Sequence, residues 1–141
     1  MSYLLDTNVL SEFRRKTPNP GVIEWMSRRP ASTLCLSVLT LGELRKGIEA
    51  VSDGTRRMAL TDWLDSELPA FFAGRILAID AGVADRWGRL LAVAGRPLPA
   101  VDSLLAATAL HHRLSMVTRN SRDFIGTGLD VINPWSGVED H

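Results

Sequence analysis

Cysteine is nearly missing from this chain, with Cys35 the single one in 141 residues. A lone thiol excludes an intramolecular disulfide and favours a reducing compartment, so a cytoplasmic location is expected. Cys35 itself, within "TLCLSVL", is expected to be a buried strand residue. Histidine is scarce as well, and no His/Cys spacing resembles a zinc site. His111 and His112 fall near the end of an expected helix and read as solvated. His141 closes "GVEDH", a tail expected to fray. No apolar run approaches the ~18 residues of a membrane span. No basic region precedes the first apolar residues, so no secretory leader is expected. The formal net charge is zero, with 16 basic and 16 acidic residues. That balance counts against strong non-specific nucleic-acid binding by the whole surface. Repeats, low-complexity stretches and long linkers are absent too, which leaves one domain over residues 1–141.

What is present fits a globular domain, at 45% hydrophobic and 23% charged residues. The chain is long enough to bury a core without staples. Lys16 and Lys46 are the only lysines, so 14 of the 16 basic residues are arginines. They gather in short clusters at Arg14-Arg15-Lys16, Arg28-Arg29, Arg45-Lys46, Arg56-Arg57 and Arg119/Arg122. Arginine grips phosphate through paired hydrogen bonds, and a solvated surface explains any one cluster equally well. Trp25, Trp63, Trp87 and Phe71-Phe72 read mostly as core, with Trp25 or Phe72 candidates for an association groove.

Strand and helix patterns alternate along the chain. "LLDTNVL" reads as a strand end at Leu4-Leu5 followed by a helix carrying Val9, Leu10 and Phe13. A helix is expected over 22–28, a strand over 34–37 and a helix over 39–51 with Leu41, Leu44, Ile48 and Val51 inward. "SDG" breaks it. Another helix is expected over 56–72, ended or bent by Pro69. A strand over 76–79 leads to Asp80, read as the cap of a helix carrying Val83, Trp87 and Leu90. A Gly/Pro loop precedes an apolar helix from Val101, and strands over 116–118 and 129–132 finish the pattern. This βαβ rhythm predicts an α/β three-layer sandwich, its central sheet of about five strands mostly parallel and flanked by helices.

Acidic residues fall where strands end or helices begin. Asp6 follows the first strand, at the sheet edge where such folds bind ligands, although a helix cap explains it as well. Glu43 lies a little over one turn into the helix after the second strand, with Lys46 its only charged helical neighbour downstream. Asp102 starts a helix too apolar to face water, and capping is its plainest structural role, though Leu105 is no capping-box partner. Asn120 follows the fourth strand in "VTRNSRDF". Three carboxylates and an amide on one edge make an oxygen cluster that a cation must neutralise. Oxygen ligands without His or Cys suit Mg²⁺ or Mn²⁺, and a bound water can then attack a phosphodiester.

The motifs "LLDTNVLSE", "LTLGELRKGI", "PAVDSLLAATA" and "VTRNSRDF" followed by "INPW" resemble, in order and over nearly the whole chain, the PIN-domain family. More narrowly they are similar to VapC-type toxins of bacterial toxin–antitoxin pairs, in the FitB-like branch. The resemblance implies a PIN-like sandwich and a metal-dependent endoribonuclease whose first three acids correspond to Asp6, Glu43 and Asp102. Asn120 stands where many relatives carry aspartate, so it helps to position the metal shell without adding charge. Asp123 is a substitute three residues on, better explained by the positive end of a short turn that Asn120 caps. Thr7, Asn8 and Thr118 are expected to orient the acids, and Arg45 and Arg119 are candidates for holding RNA. The resemblance further implies structured RNA such as transfer RNA as substrate, a VapB-like antitoxin, operator DNA bound only through that antitoxin, and a homodimer. No membrane partner is expected. Two rivals stand beside this reading. A phosphoaspartyl phosphatase would want an acid where Asn8 stands. A degenerate PIN scaffold would bind RNA or protein without cutting.

Overall fold

Leu4 and Leu5 are neighbours in sequence and both wholly buried, yet they enter different cores. Successive strand residues point to opposite faces, so this pair alone requires a sheet covered on both sides. Met116 and Val117 divide in the same way. The computed structural model describes residues 1–135, and the expected fraying over 137–141 lies outside the described residues.

Five strands form the sheet: β1 (Tyr3–Leu5), β2 (Leu34–Ser37), β3 (Ile76–Leu77), β4 (Ser115–Val117) and β5 (Val131–Ile132). Their spatial order is β3-β2-β1-β4-β5, and every pairing is parallel. The chain moves outward from β1 through β2 to β3, then returns to the other side of β1 for β4. The order therefore reverses between β1 and β4, and the carboxyl ends of these two strands flank the crevice where such sheets bind ligands.

On one face lie α1 (Thr7–Phe13), α2 (Pro20–Ser27), α3 (Val38–Glu49), α4 (Gly54–Asp62) and α5 (Leu68–Phe71), packed over Leu5, Leu36 and Val117. On the other, α6 (Ala81–Val93) and α7 (Ala100–His111) pack over Leu4 and Met116. The expected sandwich is therefore present. The α2 helix begins two residues earlier than the apolar pattern indicates, because Asn19 accepts from the Gly21 and Val22 N–H groups and Pro20 sits at its first turn.

Three other boundaries differ from the sequence reading. Pro69 does not end its helix: a widened π-helical turn over Trp63–Glu67 precedes α5 and absorbs the missing N–H. The strands expected over 76–79 and 129–132 keep only two residues each, since both lie at the sheet edges with one neighbour to pair with. Asp80 does cap α6, accepting from the Val83 N–H at 2.9 Å. Cys35 is half-buried rather than buried. Phe72 belongs to the core and is unavailable for association, whereas its neighbour Phe71 is exposed.

Leu5 ends β1 one residue before Asp6 and touches the larger core. Leu5→Ala is expected to destabilise the chain by about 3 kcal/mol, the usual cost of a buried leucine truncation. Urea unfolding, with an unchanged denaturant slope, would check this.

Candidate active site

Asp6 is held by both of its oxygens. Oδ1 accepts from the Thr7 backbone N–H at 2.7 Å, capping α1, and Oδ2 accepts from the Thr118 hydroxyl at 2.8 Å. The choice between a cap and a site residue is thus false for Asp6, because it caps the helix and also lines an open cleft of about 710 Å³. Glu43, on α3, and Asp102, on α7, line the same cleft. So does Asn120. The four positions singled out in the sequence therefore come together at the reversal point of the sheet.

Of the residues expected to orient the acids, Thr7 and Thr118 contact them directly and Asn8 only through Thr118. The Thr7 hydroxyl donates to Glu43 Oε1 at 2.5 Å, which replaces the weak Lys46 pairing as the anchor of that carboxylate. Thr118 is wholly buried, and its oxygen accepts from Asn8 Nδ2 at 3.2 Å and from the Asn120 N–H at 3.0 Å. Asn8 Oδ1 accepts in turn from the Arg119 N–H at 3.3 Å.

Asp102 behaves otherwise. It lies in the first turn of α7, but the residue before that helix is Pro99, and no side chain caps it. Its carboxylate has no hydrogen-bond or ion-pair partner among the described residues. The capping explanation is thereby removed. Burial raises the Asp102 carboxyl above its ordinary range, and the negative charges of Asp123, Asp6 and Glu43 raise it further. Burial also raises Asp6, against the pull of the Thr118 hydroxyl and the Thr7 N–H, with Glu43 and Asp123 adding like charge. A site that raises its own carboxyls favours whatever brings positive charge.

Asp123 lies in the first turn of the 3₁₀ segment Ser121–Phe124, at the positive end expected for it, and Asn120 stands at the cap position without a side-chain capping bond. From there Asp123 also adds like charge to Asp6 and Asp102. The available signal was its position three residues past Asn120, one turn of a tight helix. Arg45 is the converse case: it pairs with Asp65 and does not line the cleft. Arg119 does line it, with its guanidinium 5.7 Å from the Trp135 ring.

The far end of the cleft holds an acid of a different kind. Glu12 is 2% exposed and accepts from Arg15 Nη1, from the Asn19 N–H at 2.9 Å and from Trp135 Nε1 at 3.3 Å. Burial alone would raise this carboxyl, but the Asn19, Arg15 and Trp135 donors outweigh it and hold it below the ordinary value. Among the described residues no three His, Cys, Asp or Glu side chains close on one point. The donors for a cation are all oxygens, spread over an open cleft. This suits a hard ion that retains water better than one stripped by a cage.

An α/β domain with an acid-lined cleft at the switch point of a parallel sheet is the class that fold and site define. The chain belongs to the PIN-domain family, whose model matches residues 3–127. It is 37% identical over 135 residues to VapC ribonuclease Y4jK of Sinorhizobium fredii, covering 94% of this chain and 96% of that protein. It is 36% identical to toxin FitB of Neisseria gonorrhoeae, covering 94% and 97%. The solved structure of FitAcB from Neisseria gonorrhoeae superimposes with a TM-score of 0.90 at 36% identity, covering 95% of this chain and 99% of that one. A structure of FitAB bound to an IR36 DNA fragment gives 0.89 at 33%, covering 99% of each.

Glu12→Gln places an amide among three donors. It is expected to cost about 2 kcal/mol of stability at neutral pH, near the value of a charge-assisted hydrogen bond in a buried network. Because the native Glu12 pKa is lowered, its contribution is complete above the ordinary value of 4.5 and is lost as pH falls through the native value. The gap between Glu12→Gln and wild type should therefore narrow on acidification, as thermal melts across pH 3–7 would show.

Proposed function

We propose that this protein is an endoribonuclease toxin that hydrolyses RNA phosphodiester bonds with Mg²⁺ or Mn²⁺ and is neutralised by a cognate VapB-like antitoxin. The observation that carries the reading is the meeting of Asp6, Glu43 and Asp102 in one cleft, two of them with raised carboxyls and none neutralised by an ion pair among the described residues. The ribonuclease and toxin names of relatives 36% and 37% identical across almost the whole chain support it.

In this reading Asp6, Glu43 and Asp102 hold the cation, directly or through water, and Asn120 and Asp123 complete the oxygen surroundings. The cation, when bound, lowers the pKa of a water and offsets charge gathering on the phosphate. Thr118 and Thr7 fix the directions of the Asp6 and Glu43 carboxylates, so their lone pairs need no reordering as charge develops. Asn8 fixes the Arg119 backbone, which sets a cation on the cleft wall beside the reacting phosphate. Single-stranded loops of structured RNA, such as those of transfer RNA, expose the backbone that such an open cleft requires.

The partners follow by the same reasoning: an antitoxin that covers the cleft, operator DNA bound through that antitoxin, and a homodimer. The DNA-bound FitAB structure supports the second of these. No helix among the described residues is long and apolar enough to cross a membrane, and action on cellular RNA puts the chain in the cytoplasm.

Antitoxin-free chain should cleave total RNA with Mg²⁺ or Mn²⁺, stop with chelator, and lose at least a hundredfold in rate as Asp6→Asn. The cation should raise the Tm of wild type and leave that of Asp6→Asn nearly unchanged. Equal cleavage by the two proteins would sink the assignment. A companion variant, Asp123→Asn, is expected to weaken Mn²⁺ binding and slow cleavage by about tenfold, whereas a bystander at a turn would leave both as they were. Calorimetric Mn²⁺ titration separates the two.

A further inference from the structure

We propose that a cationic surface running from the cleft wall to the start of α4 is a docking track for the phosphate backbone of RNA outside the cleft. The proposal rests on the ribonuclease reading and extends it to substrate beyond the scissile bond.

The cations involved come from two clusters about forty residues apart in sequence, each unremarkable alone. The fold joins them: Arg56 Nη2 donates to the Arg14 carbonyl at 2.8 Å, which sets the beginning of α4 against the end of α1. Arg15, next in the chain, lines the cleft that holds Asp6, Glu43 and Asp102. The surface is thus continuous with the acids.

The acids nearby are already engaged. Glu49 pairs with Arg57, and Glu12 holds Arg15 through Nη1. Asp53 Oδ1 accepts from the backbone N–H groups of Thr55 and Arg56 as the cap of α4. Arg14, Lys16 and Arg56 are left with no carboxylate partner among the described residues. The Arg14 guanidinium lies 5.2 Å from the Trp63 ring, and its Nε is buried without an acceptor. The ring contact packs the Arg14 side chain, and its charge has no carboxylate to offset it. A row of uncompensated cations binds a polyanion by releasing the polyanion's counterions.

Position favours a nucleic-acid backbone over an acidic polypeptide. A chain cut at the acids must leave the cleft over one of its walls, and the wall at Arg15, itself paired with Glu12, leads on to Lys16 and Arg56, which have no carboxylate partner among the described residues.

The test compares Lys16→Gln/Arg56→Gln with the charge-keeping Lys16→Arg/Arg56→Lys, both in the Asp6→Asn background so that no RNA is consumed. Both positions are exposed, so the changes leave the core intact. Binding of fluorescently labelled bulk transfer RNA is followed from 50 to 200 mM NaCl. The expected result is a salt slope shallower by about 0.7–0.9 per lost cation for the glutamine pair alone. Identical slopes for the two variants and their parent would overturn the proposal. So would an unchanged RNA slope with weakened antitoxin binding, which would assign the surface to an acidic protein instead. Binding is read without turnover, so failure of the nuclease reading would show separately, as wild type that does not cleave.

Discussion

One hydroxyl, that of Thr118, ties the two central strands together where the strand order reverses. A hydroxyl offers one donor and two lone pairs, and Thr118 uses all three: it donates to Asp6 and accepts from Asn8 and from the Asn120 N–H. Thr118 follows β4, Asp6 follows β1 and Asn8 lies in the first turn of α1, so the contact fixes one strand end against the other. The same atom aims one carboxylate of the cleft, positions the amide opposite it and, through Asn8, holds the backbone of Arg119. Removing the hydroxyl would strip Asp6 Oδ2, Asn8 Nδ2 and the Asn120 N–H of this partner at once, with Asp6 the most buried of the three. The hydroxyl therefore serves folding and site geometry together.

Within a single cleft the carboxylates fall into two kinds, and their surroundings tell the kinds apart. Glu12 is hardly exposed, yet it is held low because Asn19, Arg15 and Trp135 all donate to it. Asp6 and Asp102 are raised, because burial, joined by the like charge of Glu43 and Asp123, outweighs what they receive. A carboxylate with several donors fixes structure: Glu12 joins α1 to the Asn19 turn and to Trp135 near the end of the described chain. A carboxylate short of donors is a site that a cation would complete. The fold tolerates the repulsion at one end of the cleft because the contacts at the other end, and two apolar cores, hold the strands in place.

The parts legible in sequence were those with short-range causes. Asp6 sits where an apolar run meets a helix pattern, and the local order of strand, acid and helix was enough to put it at the sheet edge. Glu43 and Asp102 were legible for the same reason. What escaped were roles decided across the fold. Glu12 looked like one more surface acid on α1, since its donors come from Asn19 and from Trp135, more than a hundred residues away. Arg45 stood beside a site residue in the chain, yet the helical turn carries its side chain to Asp65. Asp123 was discounted by counting along the chain, whereas the 3₁₀ turn brings its charge to bear on Asp6 and Asp102. The edge strands came out short because pairing, not apolar content, ends a strand.

A net charge of zero was the least informative number in the sequence, and the structure shows why. The sum is neutral because opposite charges are equal in number, and it says nothing of their placement. Here many arginines are neutralised pairwise, Arg28 by Glu24, Arg57 by Glu49 and Arg89 by Asp85. Each pair removes itself from the field felt at a distance. Among the charges left without an ion pair are the acid group at the sheet's carboxyl edge and the cations Arg14, Lys16 and Arg56 beside it. A phosphodiester approaching that edge meets attraction at the rim and repulsion at the centre, unless a cation sits among the acids. The field is screened beyond about 8–10 Å at physiological salt, so the local arrangement governs the encounter. Composition is blind to that arrangement, and only the fold creates it.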